Sequence, residues 1–251
     1  MRVVTWNVNG IRARVAQVLE FLEQHEPCAL LLQEIKAAPE QVPAELHALA
    51  DRYWLHWHGA LGGYSGVALL LSKRTFPDEP AFEVPPLDFE TRVALARTSR
   101  GTLAVMYLPN GGKDYAAKIR FLTELGPWIH EESARGPFLL AGDMNVTRTE
   151  MDVHPSQRDA DAIAQRPDER ALFEAAIAGG ELTDLTRVKH PDDATFFTWW
   201  PFWKGAKQRN LGQRIDYVFT NLALAQTLES VTLHRTYGSS DHAPLEALFS
   251  A

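Results

Sequence analysis

Cysteine is almost missing from these 251 residues: Cys28 stands alone. A single thiol excludes an internal disulfide and, with no Cys pair, a thiolate zinc cage. It lies in the apolar run Cys28-Ala29-Leu30-Leu31-Leu32 and reads as a small buried hydrophobe. Long hydrophobic runs are missing as well. No stretch approaches the roughly 18 apolar residues of a membrane span. Met1-Arg2-Val3-Val4-Thr5 passes straight into a strand-like pattern, with no basic-then-apolar leader. The expectation is a cytoplasmic protein that engages no membrane. An excess of positive charge is also lacking. Lys and Arg number 25 against 32 Asp and Glu, a net charge of −7 with neutral His. A protein holding nucleic acid by bulk electrostatics would be basic. Net charge says little about one face, however, and acids gathered round a cation would account for part of the excess.

What is present is average for a globular chain: 45% hydrophobic, 10% aromatic and 23% charged residues, with 16 Gly and 15 Pro. Collagen-like, coiled-coil and wholly disordered readings are excluded. A chain of this length buries about three-quarters of its unfolded surface and needs no staples. No repeat, low-complexity tract or linker interrupts it, so residues 1–251 read as a single domain.

Apolar patterning predicts strands at 3–6, 30–32, 53–58, 66–72, 91–97, 102–108, 138–141, 215–220, 231–235 and 245–249. Val15, Val18, Leu19 and Leu22 fall at helical spacing, in a helix that stops before Pro27. Further helices are predicted over 40–51, 114–133 and 168–178, the last ending at Gly179-Gly180. Residues 147–167 are polar and Pro-flanked and read mostly as loop. This mixed α/β order, with adjacent hairpin-like strands, points to two packed sheets flanked by helices.

Polar residues collect at the strand ends. Gly142-Asp143-Met144-Asn145 follows a buried run and reads either as a turn or as a site. Ser239-Ser240-Asp241-His242-Ala243-Pro244 is a turn or cap, or an oxygen ligand beside a titratable nitrogen. Arg214-Ile215-Asp216-Tyr217-Val218 places a carboxylate inside a strand, where it needs a cation or a His partner. Glu34 taken alone is equally a solvated helix-start acid. Together Asn7, Glu34, Asp143, Asn145 and Asp241 offer oxygen donors only, which favours magnesium or manganese over zinc. Such an ion with a nearby His suggests phosphoryl or phosphodiester chemistry.

Seven motifs then occur in order. They are Thr5-Trp6-Asn7-Val8-Asn9-Gly10-Ile11-Arg12, Leu32-Gln33-Glu34-Ile35-Lys36, Gly63-Tyr64-Ser65-Gly66-Val67-Ala68-Leu69 and Tyr107-Leu108-Pro109-Asn110-Gly111, followed by Gly142-Asp143-Met144-Asn145, Gly212-Gln213-Arg214-Ile215-Asp216-Tyr217 and Ser240-Asp241-His242-Ala243-Pro244. Spanning almost the whole chain, they resemble the exonuclease III family of apurinic/apyrimidinic endonucleases, within the endonuclease/exonuclease/phosphatase superfamily. The resemblance implies a four-layer αββα sandwich with its site at one mouth of the sheets. It implies metal binding by Glu34 and Asp241, with Asn7 in the same cluster. Asp143 would orient or deprotonate the attacking water, and Asn145 would hold that water or stabilise the transition state. Asp216 would orient His242 against the scissile phosphate, with Tyr107 beside that phosphate or the leaving group.

Arg12, Lys36, Tyr64 and Asn110 fall in motifs that touch the DNA backbone in similar proteins, although ordinary surface chemistry explains such residues too. Trp199, in the aromatic stretch 196–203, matches a residue lining the pocket for a baseless sugar. Lys204, Lys207 and Arg209 offer phosphate contacts or form a solvated basic loop. Asn9 stands where some relatives carry a metal-site Asp, which removes one charge, and the loop at 151–167 with His154 is one that meets DNA in relatives. The expected protein is therefore a magnesium- or manganese-dependent, monomeric DNA repair nuclease. Its partner would be double-stranded DNA bearing abasic sites or damaged 3′ ends. It would cleave 5′ to the abasic site, with 3′→5′ exonuclease or 3′-phosphatase activity alongside. The rivals are a same-fold enzyme acting on an RNA tail, a phospholipid or an inositol phosphate, and a non-catalytic DNA-binding module.

Overall fold

A computed structural model describes residues 1–203 and 205–250. In chain order its strands are β1 (Arg2–Asn7), β2 (Ala29–Gln33), β3 (Tyr53–His58), β4 (Val67–Ser72), β5 (Ala81–Glu83), β6 (Val93–Thr98), β7 (Gly101–Tyr107), β8 (Phe138–Asp143), β9 (Thr183–Asp184), β10 (Asp216–Thr220), β11 (Leu228–Leu233) and β12 (Leu245–Phe249). The helices are α1 (Val15–His25), α2 (Ala44–His47), α3 (Tyr115–Ala134), α4 (Pro167–Gly179), α5 (Leu185–Lys189) and α6 (Leu222–Ala225). The strands make two six-stranded sheets, ordered β11-β12-β1-β2-β4-β3 and β5-β6-β7-β8-β10-β9. Two pairs are parallel, β1 with β2 across α1 and β7 with β8 across α3. A parallel pair needs such a crossover, and here each crossover covers an outer face.

Strand period decides the layers. Val3 of β1 points between the sheets, whereas Val4 and Trp6 meet Val18, Phe21 and Leu22 of α1. Leu139 and Ala141 of β8 face inward, whereas Phe138 and Leu140 meet Phe121, Leu125 and Phe173 of α3 and α4. The result is the αββα sandwich. The same period of two carries each inward row to a polar end: Val3, Thr5, Asn7 on β1; Leu103, Val105, Tyr107 on β7; Leu139, Ala141, Asp143 on β8. β10 runs antiparallel to β8, and its first residue Asp216 lies opposite Asp143, while Tyr107 lies beside Asp143 on β7. A fully buried Leu or Val side chain contributes about 1.5–3 kcal/mol. One mouth of the sandwich gives that up for carboxylates, an amide and a phenol.

Boundaries shift by one or two residues from the sequence reading, with some larger differences. The helix expected over 40–51 is broken by Pro43 into α2 and two 3-10 turns, Pro39–Gln41 and Ala48–Asp51. The strand expected over 231–235 is β11, which starts earlier and is bulged between Leu228 and Ser230. Short β5, β9, α5 and α6 were not anticipated. The 147–167 segment contains two 3-10 turns, Glu150–Asp152 and Pro155–Gln157. It is anchored by a buried ionic network: Arg214, just before β10, bonds Asp152 at 2.7 Å and Asp184 at 2.7 Å, and Arg187 and Arg148 meet the same two carboxylates.

Candidate active site

Gly142 sets the approach of β8 to β7. Its φ is 151°, and a Cβ there would overlap the Met106 carbonyl oxygen, so only glycine lets Asp143 come in beside Tyr107. Asp143 is buried, with Oδ1 accepting from the Asn145 backbone N–H at 3.0 Å. Its Oδ2 accepts from Asn7 Nδ2 at 2.9 Å and lies 3.7 Å from His242 Nε2. The other ring nitrogen of His242 bonds Asp216 Oδ2 at 2.8 Å. The buried strand carboxylate at Asp216 therefore has the His partner that its position requires.

Asn7 Nδ2 also donates to Glu34 Oε1 at 3.0 Å, and its oxygen accepts from Asn9 N. Asn7 thus meets the carboxylates as a donor. Lys36 Nζ sits 2.7 Å from Glu34 Oε2 and 2.6 Å from Asn9 Oδ1, and Asn9 Nδ2 donates to Asp241 Oδ1 at 2.9 Å. The other Asp241 oxygen accepts from Trp199 Nε1 at 3.0 Å. Backbone bonds fix this end of the site as well: Trp200 N–H donates to the Asp241 carbonyl and Ala243 N–H to that of Thr198, so residues 198–200 brace Asp241 and His242 as a short added strand.

Charge follows from these contacts. Burial, helped by the Asp216 and Glu34 carboxylates, pushes Asp143 up to about 7 against the pull of His242. Burial would lower His242, but Asp216 and Asp143 raise it to about 10 and keep it an imidazolium. Burial opposes ionisation of Glu34, yet the Asn7 and Lys36 bonds hold it below the ordinary carboxylate range. Asp241 is held low in the same way, burial being outweighed by His242, Asn9 and Trp199. Burial, Glu34 and Asp143 drive the Tyr107 phenol far above its usual value, so it remains a proton donor.

Glu34, Asp143 and His242 each offer a donor atom within 4.8 Å of the others. When all are ionised, the four carboxylates at Glu34, Asp143, Asp216 and Asp241 outnumber the described cations set among them, His242 and Lys36, with Lys207 beside Asp241. An oxygen-rich site with an excess of carboxylates fits a hard divalent cation.

The remaining expected residues have mixed placements. Asn145 uses its amide on the Leu108 carbonyl at 2.9 Å and receives Asn110 Nδ2 at 3.1 Å, so these two brace each other beneath the mouth. Lys36 and Trp199 are bonded into the carboxylate cluster. Arg12 is exposed, reaching only the Lys36 carbonyl at 3.4 Å. Tyr64 is exposed on its loop. Lys207 donates to the Ser240 carbonyl, Arg209 is exposed, and Lys204 lies outside the described residues. His154 bonds Ser156 next door, and its backbone N–H reaches Gly212.

Sequence reasoning missed two groups. Arg92 is buried over the Tyr107 ring, 4.8 Å from guanidinium to centroid, and donates to the Tyr64 hydroxyl at 2.8 Å. Lys118 of α3 is fully buried, pairs with Glu169 of α4 and donates to the Asn145 carbonyl at 2.7 Å. The signal for Lys118 was available: it stands at an apolar-face position of the 118, 121, 122, 125 helical series.

A sandwich whose sheets close on a carboxylate-rich mouth, with His242 set between Asp143 and Asp216, defines a metal-dependent phosphoester hydrolase, and the chain belongs to the endonuclease/exonuclease/phosphatase family, whose profile matches residues 4–242. Among individual proteins it is similar to the DNA repair nuclease APEX1 of Danio rerio, 30% identical over 253 residues that cover 98% of this chain and 81% of that one. It is 28% identical over 258 residues to the exodeoxyribonuclease of Bacillus subtilis, covering all of both. Among solved structures, the 3′ phosphatase NExo from Neisseria, bound to a product DNA hairpin, matches with a TM-score of 0.89 at 30% identity over the whole of both chains.

Proposed function

We propose that this chain is a DNA repair nuclease, active as a monomer and folded as one domain, that hydrolyses the phosphodiester 5′ to an abasic site in double-stranded DNA and also trims damaged 3′ ends. The observation that carries the reading is the pairing of Asp143 Oδ2 with His242 Nε2 across 3.7 Å at the mouth of a fold shared end to end with repair nucleases.

In this reading Asp143, whose Oδ1 is fixed by the Asn145 N–H, uses Oδ2 to orient the attacking water and take its proton. His242, held cationic and aimed by Asp216, donates from Nε2 to a non-bridging phosphate oxygen. The water oxygen bonds to phosphorus, the bond to the 3′-oxygen breaks, and that oxygen leaves beside the protonated Tyr107. Asn145, whose amide keeps one hydrogen beyond its bond to Leu108, would steady that water or the phosphate in the transition state. Glu34 and Asp241, with Asn7, Asp143 and Asn145 alongside, would hold magnesium, or manganese in its place, which would supply positive charge against the phosphate.

A groove of about 560 Å³ leads away from Tyr107, lined by Tyr64, Arg92, Asn110, Lys113 and Arg120. Glu90 and Asp114 also line it, beside Arg92 and Arg120, so Lys113 is its described cation that is not set against a lining acid and is the group suited to a phosphate. Arg12, Lys36, Tyr64, Asn110 and Trp199 are the proposed DNA contacts, Lys36 and Trp199 from within the carboxylate cluster. The likeness to a 3′ phosphatase favours end trimming as a second activity of the same centre. The test is a 5′-labelled duplex with one abasic-site analogue, incubated with magnesium or with EDTA. A single magnesium-dependent cut beside the lesion is expected. A ladder shortened from the 3′ end would move the function to end processing, and no cleavage in either condition would refute both.

A further inference from the structure

A second group of ligating side chains lies on the outer face of the first sheet. His25 ends α1, His234 follows β11 and Glu246 lies in β12; each offers a donor atom within 4.8 Å of the other two. We propose that these three form a binding site for a divalent transition ion of the zinc class, separate from the metal at the mouth.

The fold alone brings them together, over sequence separations of 12 to 221 residues. His234 N–H bonds the Pro244 carbonyl, so His234 lies opposite Pro244 and on the same face as Glu246 two residues on. His234 Nε2 and Glu246 Oε2 are 3.2 Å apart. The other oxygen, Oε1, lies 3.2 Å from Arg2 Nε as an ion pair, an outer contact of the carboxylate. The Arg2 guanidinium also donates to the His25 carbonyl, tying the end of α1 to the same place. Phe21 stacks on the His25 ring at 4.3 Å and stands edge-on to His234 at 5.2 Å, so both rings are set by packing.

Donor type selects the ion. Two imidazoles and one carboxylate are the ligands of zinc rather than of magnesium, and three protein ligands leave a fourth position for water. Both imidazoles are only partly buried, so an ion has a path in from solvent. An ion held there would join the end of α1 to the connection between β11 and β12, the segment that carries Asp241 and His242.

The experiment strips the protein with a chelator, dialyses it against zinc chloride in excess magnesium, and measures zinc content and thermal midpoint. Wild type should retain one zinc more per chain than His234→Gln or His25→Gln, with binding to those variants weaker by at least about tenfold. Zinc should raise the midpoint of wild type but not of the variants. Glu34→Gln, altered at the mouth, should keep that zinc. The stripped variants should melt with stripped wild type and cleave DNA normally with magnesium alone. Equal zinc content in wild type and variants, or none retained by wild type, overturns the proposal. If His234→Gln fails to fold, His25→Gln, at a helix end, gives the same comparison. Zinc content is read without DNA, so a failed nuclease assay would leave this result standing by itself.

Discussion

Replacing Lys118 by Met tests whether a buried ion pair behind the mouth positions Asn145. Lys118 and Glu169 are both fully buried, and the ammonium also donates to the Asn145 carbonyl, which belongs to a residue held at φ 47°. Lys118→Met leaves the Glu169 carboxylate buried without a counter-ion, and breaking such a pair from one side costs about 3–5 kcal/mol. Adding Glu169→Gln removes the stranded charge and keeps the oxygen that accepts from the Arg166 N–H at 3.0 Å. Most of the loss should return, less about 1–3 kcal/mol for the Asn145 carbonyl left without its donor. Urea denaturation should therefore find the double variant about 2 kcal/mol more stable than Lys118→Met. The double variant should fold and still cut DNA about 10- to 100-fold more slowly, because Asn145 has lost its anchor. A recovery below about 0.5 kcal/mol would refute the energetic argument. Full activity in the double variant would refute the positioning role.

Other expectations rest on single contacts. Asp143→Asn should lower kcat by about 100-fold or more while DNA affinity in EDTA, read by gel shift, stays as in wild type; lost affinity would make Asp143 a structural residue. Trp199→Phe keeps a ring but removes the bond to Asp241 Oδ2, so the magnesium concentration for half-maximal cleavage should rise. An unchanged titration would confine Trp199 to lining the site. His56 is lowered to about 4 by burial and by His58, and its ring stacks on Phe82 at 4.9 Å. Between about pH 6.5 and 4 the unfolded chain binds the proton that folded His56 refuses, so stability falls as pH falls through that window. After discounting for partial exposure the loss is about 1–2 kcal/mol. His56→Phe keeps the stack, and its urea stability should fall less than that of wild type between pH 7 and 4.5; parallel curves would count against the assignment.

The mouth was legible because strands alternate. Once Val3, Leu139 and Val218 are placed inward, Asn7, Asp143 and Asp216 must follow on the same face. The helix over 40–51 was misread because apolar spacing ran on through Pro43, which removes a backbone donor. β5 and β9 are too short to show a period. Spacing could locate Asn7, Asn9 and Trp199 but not their bonds: which amide atom faces Glu34, or which oxygen of Asp241 the indole reaches, depends on side-chain torsions set by packing. Arg92 and Arg214 were passed over because a charged residue at a strand edge usually faces water. Here distant segments help enclose each: Tyr64 and Tyr107 lie against Arg92, and Asp152 and Asp184 bond Arg214.

The path of the chain through the sheets bears on when activity can first arise during synthesis. β1 is synthesised long before its antiparallel partner β12, residues 245–249. Until that strand leaves the ribosome, β1 has an open edge on one side. Asp241 and His242 come only a few residues ahead of β12, and they are held in place by pairing with residues 198–200. A partly synthesised chain therefore displays Asn7, Glu34 and Asp143 without the imidazole that stands between Asp143 and Asp216 in the closed fold. In the proposed mechanism hydrolysis waits on closure of the first sheet, so a chain stalled before β12 is expected to leave nearby DNA uncut.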